Sequence, residues 1–204
     1  MKKKLLYAGV ALLLAAAVGC AGVLMQQRAL ADKLVRFHVL AASDSPRDQA
    51  LKLAVRDTLL ETLEPLSQQA ENQAQMLEIL QRSLPMLKQT AGQTLRRLGC
   101  DDIVEISLSE ESFPTRFYTT FALPAGRYTA LRVRLGGAEG HNWWCVCFPS
   151  LCSAACVEEL DSVAAGAGFS DEELRFITGK EPYVIRFKVL EWLESLRARL
   201  DGAA

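Results

Sequence analysis

Residues 141–152 read His-Asn-Trp-Trp-Cys-Val-Cys-Phe-Pro-Ser-Leu-Cys, and this stretch constrains the fold more than any other. It holds two of the three tryptophans and three of the six cysteines in the chain. Successive side chains on a strand point to opposite faces, so Trp143 and Trp144 cannot both enter one core without a bend. One indole is expected in the core, and the other against a second layer, a neighbouring loop or a partner. Pro149 then turns the chain and brings Cys152 back towards Cys145. Such a segment suits one rigid shape in a compartment where thiols oxidise.

The start of the chain indicates that compartment. Lys2, Lys3 and Lys4 precede an uncharged apolar run from Leu5 to Met25. As a helix this run would be about 31 Å long, enough to cross a hydrocarbon core of roughly 30 Å. The positive flank stays in the cytoplasm, so the chain beyond the run is expected to be exported. Two fates stay open for the leader. Ala29-Leu30-Ala31 is a small-residue cleavage pattern that would release a chain starting at Asp32. The run is also long for a signal peptide and suits a retained anchor, which would keep a membrane contact. Ala17-Val18-Gly19-Cys20 follows a lipoprotein box only faintly, with Ala17 where Leu is usual. The expected organisation is a leader or anchor over residues 1–31 and one exported domain over residues 32–204.

The leader carries four of the 23 basic residues and none of the 24 acidic ones, which leaves the rest of the chain at −5. That balance is ordinary for a soluble domain and argues against nucleic acid as a partner. A chain of this length buries a core without staples, so a disulfide would add to the core and not replace it.

The periodicity predicts a strand over 34–42, with Val35, Phe37 and Val39 on one face and Arg36 and His38 on the other. Ser45 is an N-cap, Pro46 the first helical residue, and Asp48 adds charge to the first turn. The helix Pro46–Leu63 would bury Leu51, Val55, Leu59 and Leu63 with Lys52 and Arg56 facing out, and Pro65 would end it. A second helical stretch is expected over 67–98, broken or kinked near Pro85 and stopped by Gly99. Strands are expected next at 103–108, 117–121, 128–135 and 142–148, close enough in sequence to form an antiparallel meander. A short helix over 171–178 after the Ser170 cap and a final helix over 183–200 complete the chain. Ile185, Val189, Trp192, Leu193 and Leu196 would form the apolar stripe of that last helix. The fold class is α+β: one domain with a mainly antiparallel sheet of about five strands packed by helices.

Catalytic options are few because the chain has only two histidines. Cys145 with His38 or His141 would make a thiol nucleophile and base, but a reactive thiolate needs an exposed, electropositive setting. Ser43, Asp44 and Ser45 at a strand end could hold a substrate or metal, but capping preference favours a turn and helix cap. Cys145, Cys147, Cys152 and Cys156 do not have the spacing of paired zinc knuckles, and no metal or cofactor is expected. Disulfides are the commoner fate of exported cysteines, with Cys145–Cys152 the first pair and Cys147–Cys156 a second. Free thiols remain the alternative.

Several separated motifs, in order, resemble the stage II sporulation protein R family. They are Arg36-Phe37-His38-Val39-Leu40-Ala41-Ala42-Ser43-Asp44-Ser45-Pro46, Phe113-Pro114-Thr115, and Leu123-Pro124-Ala125-Gly126 with Tyr128-Ala130-Leu131-Arg132. Asn142-Trp143-Trp144-Cys145-Val146, Phe148-Pro149 and Leu151-Cys152 carry the likeness furthest. Cys147 and Cys156 lie outside that motif. The resemblance implies a protein exported from the forespore into the space between two membranes. There it would trigger a membrane-embedded aspartic protease that removes the pro-sequence of sigma-E. The expected contact residues are Asn142, Trp143, Trp144, Ser43, Asp44 and Ser45. An exported cell-wall hydrolase or thiol enzyme built on Cys145 is the alternative.

Overall fold

The computed structural model describes residues 2–151, 160, 163–164, 166–178 and 183–201. Its elements are α1 (Lys2–Ala31), β1 (Val35–Leu40), α2 (Pro46–Ser67), α3 (Gln73–Arg97), β2 (Val104–Phe113), β3 (Arg116–Phe117) and β4 (Ala122–Leu123). They continue with β5 (Gly126–Leu135), β6 (Asn142–Phe148), α4 (Asp171–Thr178) and α5 (Tyr183–Asp201). The class is α+β, as the alternation of patterns implies.

The sheet is mixed. Its order is β2-β5-β1-β6, with β3 and β4 forming a separate two-stranded ribbon. β5 pairs antiparallel with β2 and β6 antiparallel with β1, but β1 runs parallel to β5. The expected meander is therefore corrected: β1 inserts between β5 and β6, which are neighbours in sequence but not in the sheet. A central strand is buried on both faces, and all six residues of β1 are buried.

Each face carries its own core. Val35, Phe37, Val39, Leu131 and Val133 pack under α2 and α3 with Leu51, Val55, Leu59, Leu63, Met76 and Leu80. On the opposite face Tyr128, Ala130, Val146 and Phe113 meet the end of α1, β4, α4 and α5. Two helix ends differ from expectation. Pro65 lies within the last turn of α2 and Pro85 within α3, which runs unbroken from its Asn72 cap. Neighbouring packing supplies more than the single backbone bond a proline removes. Lys52, expected outside, is buried, because its stem lies on the core while its Nζ donates to Gln49 Oε1 and the His141 carbonyl. Trp192, expected on the apolar stripe of α5, is 60% exposed, and Phe187 and Leu190 enter the core instead.

α1 is long and apolar enough to cross a membrane, in keeping with a signal segment or anchor. Its last turns also belong to the domain. Leu30 and Ala31 are buried with the α4 and α5 residues. The Gln27 amide lies 3.5 Å from the Arg127 carbonyl, in space that a Cβ on Gly126 would occupy.

Candidate functional site

The loops after β1 and before β6 meet at one end of the sheet. Glu139 and Gly140 donate backbone hydrogen bonds to the Ala42 and Ala41 carbonyls. A Cβ on Gly140 would collide with the Ser43 backbone, so this crossing requires glycine for its lack of a side chain. Two segments read separately in the sequence, Ser43–Ser45 and the start of β6, thereby come together at one end of the sheet. Ser45 caps α2 by accepting from Asp48 N–H, and Ser43 Oγ donates to Asp48 Oδ2 at 2.5 Å. Asp44 is left to accept from the backbone N–H and ring Nδ1–H of His141, at 2.6 and 2.5 Å. Those bonds, the backbone one foremost, hold the Asp44 carboxyl below its usual range.

The register sends the two tryptophans to opposite faces, as the pleat dictates. Trp143 pairs with Val39 and lies edge-on to Phe37 at 5.8 Å, under the Arg56 guanidinium. Trp144 pairs with His38 on the other face, its ring 5.5 Å from the imidazole. Both indoles are half-buried. Of the expected places for the second indole, a second layer is the one found, since Trp143 and Trp144 each pack against a core on their own face.

The Trp144 face carries the chemistry. His38 Nδ1–H donates to Glu111 Oε2 at 2.8 Å, and Nε2 lies 3.1 Å from Asn142 Oδ1. Arg132 stands 3.5 Å from the other Glu111 oxygen. Burial opposes ionisation of Glu111, but the His38 bond and charge, with Arg132 and Ser109, outweigh it and lower its carboxyl below the usual range. Deeper in the same face, Arg36 is fully buried. Its Nε donates to the Cys145 carbonyl at 3.1 Å and its Nη2 to the Tyr118 hydroxyl at 2.9 Å. The guanidinium lies 4.4 Å from the Phe113 ring centre and 5.1 Å from that of Tyr128. Desolvation raises the phenols of both Tyr118 and Tyr128, the latter to about 12. Arg116 covers Trp144, 3.4 Å above its ring.

Cys145 is disulfide-bonded; Cys152 and Cys156 lie outside the described residues. Cys147 is not in a disulfide, which corrects the expected Cys147–Cys156 pair. A bulge pairs Val35 with Phe148 and Arg36 with Val146, and Cys147 is buried in the core under α2 and α3. Its thiol is buried, donates to the Val35 carbonyl at 3.5 Å, and is pushed up to about 12 by desolvation. Neither sulfur is poised as a nucleophile. His38 has both nitrogens committed to Glu111 and Asn142, and His141 faces Asp44. Among the described residues no group of His, Cys, Asp and Glu is arranged to hold a metal.

Glu111, Arg116 and Tyr118 were not legible as site residues, because they arrive from β2, β3 and the ribbon turn without a local pattern. Arg36 did leave a signal: it is the one arginine in β1, whose other residues but His38 are apolar.

The chain is thus a two-faced α+β module with an apolar helix at its front and an aromatic, arginine-lined face on its sheet. The chain belongs to the stage II sporulation protein R family, whose sequence model matches residues 31–158. It is similar to stage II sporulation protein R of Bacillus subtilis (strain 168), at 28% identity over 183 residues, covering 81% of this chain and 82% of that one. No solved structure matches it.

Proposed function

We propose that this chain is an exported, non-catalytic messenger of sporulation. It passes from the forespore into the intermembrane space and activates a membrane-embedded aspartic protease that processes pro-sigma-E. The observation that carries this reading is the family match over residues 31–158, in a chain that opens with a lysine-flanked apolar helix. The geometry is consistent with it: the sheet end holds Asp44 against His141, next to Asn142, and all three are exposed. The disulfide at Cys145 works against the thiol-enzyme alternative, since a sulfur in a disulfide is no thiolate.

Activation without chemistry is a population shift, and the ligand must bind the active protease more tightly than the inactive one. Turning a 1:99 mixture into 99:1 takes about 5.5 kcal/mol of differential binding. A contact surface of this kind supplies that from a few desolvated aromatic and arginine anchors. The test is reconstitution: the full chain is added to vesicles bearing the protease and pro-sigma-E. Cleavage that starts only on addition of the chain supports the proposal. Cleavage that proceeds equally without it, or none at all, sinks it.

A further inference from the structure

Among the described residues, several basic side chains around this sheet pair with carboxylates, whereas two arginines on the Trp144 face do not. Arg127 pairs with Glu110, Arg134 with Glu105, Arg132 with Glu111 and Lys33 with Glu173. Arg36 and Arg116 form no ion pair with any described carboxylate. Arg36 is wholly buried, yet its Nη1 has no hydrogen-bond partner. Arg116 Nε is likewise buried and unbonded. Burying an arginine donor without an acceptor is costly, and two such donors in one cluster need a reason.

The two guanidiniums act on each other. Tyr118 accepts from Arg36 Nη2 and reaches the Trp144 carbonyl at 3.4 Å, while Arg116 lies flat on the Trp144 ring. Burial, and after it the charge of Arg36, disfavour the cationic form of Arg116, with the Tyr118 phenol opposing them. Two uncompensated positive charges thus stand behind one aromatic wall, and Arg116 is the partly exposed member.

We propose that the Arg36–Arg116 cluster is a carboxylate-recognition site, filled by an acidic side chain of the protein partner. The inference rests on the signalling reading above and names the chemistry of its contact. Arg116 presents a planar fork that suits a carboxylate bidentately, and its stacking on Trp144 pre-orients that fork. Arg36 is a positioning residue: it aligns Tyr118 and adds positive potential from within, where water screens it little. An incoming carboxylate supplies the missing countercharge.

The experiment uses the full chain in detergent micelles with 15N-labelled arginine and tryptophan. The probe is the tripeptide acetyl-Gly-Glu-Gly-amide, with its glutamine analogue and inorganic phosphate as controls. The expected result is a saturable shift of the Arg116 Nε–H and Trp144 indole signals with the glutamate peptide and not with the glutamine one. Arg116→Gln should weaken that binding by roughly tenfold or more. The same variant, folded and exported normally, should fail to start pro-sigma-E cleavage. Equal shifts with the glutamine peptide, no shift, or tighter binding of phosphate would overturn the proposal. So would an Arg116→Gln chain that signals like the unaltered one. If Arg36→Met abolishes the Arg116 response although the sheet signals are unchanged, the positioning role is supported. Glutamate binding at Arg116 in a chain that never triggers cleavage would retain the carboxylate site and defeat the signalling reading, so the two fail separately.

Discussion

The Asp44 carboxylate accepts two hydrogen bonds from a residue 97 positions later, the backbone N–H and the ring Nδ1–H of His141. This contact ties the exit of β1 to the entry of β6 and lays Ser43–Ser45 beside Asn142–Trp144. Lys52 completes it from α2 by donating to the His141 carbonyl.

Asp44, at this end of the sheet, and Glu111, which meets His38 from β2, both have lowered pKa values, so their linkage has one sign. Their contribution is present above the ordinary carboxylate range and is lost as pH falls through the lowered folded values, below about pH 4. Urea unfolding at neutral and acidic pH should show stability falling over that window. Glu111→Gln should cost about 1–3 kcal/mol at neutral pH, because His38 and Arg132 lose their charged acceptor, and should flatten the slope. An unchanged slope in the variant would exclude Glu111 as its source.

Leu30 is fully buried although it lies in the leader helix. Leu30→Ala should therefore destabilise the full chain by about 2–5 kcal/mol, measured by the denaturation midpoint. A change near zero would show that the last turn of α1 does not serve the core.

Gly140→Ala should be harmful and Gly126→Ala mild, although both positions are crowded. A Cβ on Gly140 meets the Ser43 backbone, which cannot move without parting the two loops. The cost is about 1–3 kcal/mol. A Cβ on Gly126 meets only the end of the Gln27 side chain, which can swing away. Thermal melts of the two variants should rank in that order.

Peptide mapping without reduction should recover Cys145 in a disulfide and Cys147 as a free thiol. In the folded chain Cys147 should resist thiol reagents at neutral pH, since desolvation keeps it protonated. Labelling should become rapid only on unfolding. Fast native labelling would contradict the buried position.

Arg36→Met keeps the volume of the side chain and removes an unpaired buried charge. The variant should be as stable as the unaltered chain, or more stable by up to about 1–4 kcal/mol, as when other buried charges give way to apolar side chains. A loss of several kcal/mol would mean that the bonds to the Cys145 carbonyl and Tyr118 outweigh the desolvation.

Much of the architecture was legible because it is local. The Ser45 cap, Pro46 at the first turn, and the spacing of Leu51, Val55, Leu59 and Leu63 place α2. Alternation placed β1, β5 and β6 within a few residues of their ends. Ser170 marked α4, whose Glu173 N–H it accepts. Errors arose where packing overrides propensity. Pro85 is tolerated inside α3 because that helix is held along its length by Met76, Leu80, Leu87, Ala91 and Leu95. Cys147 is a free thiol buried in the core under α2 and α3, beside a bulge that carries no sequence signature here.

The sequence alone determined the apolar N-terminal helix, the α+β class and the two-faced tryptophan pair, since hydrophobic period and capping act between residues a few positions apart. The site was decided by the tertiary structure. Inserting β1 parallel to β5 and antiparallel to β6 brought Asp44 to His141, Glu111 to His38, and Arg36 beneath Tyr118 and Trp144. The hydrogen-bonded pairs among them are 73 to 97 residues apart. No local pattern encodes such meetings, because they depend on which strand edges close together when both cores are buried at once.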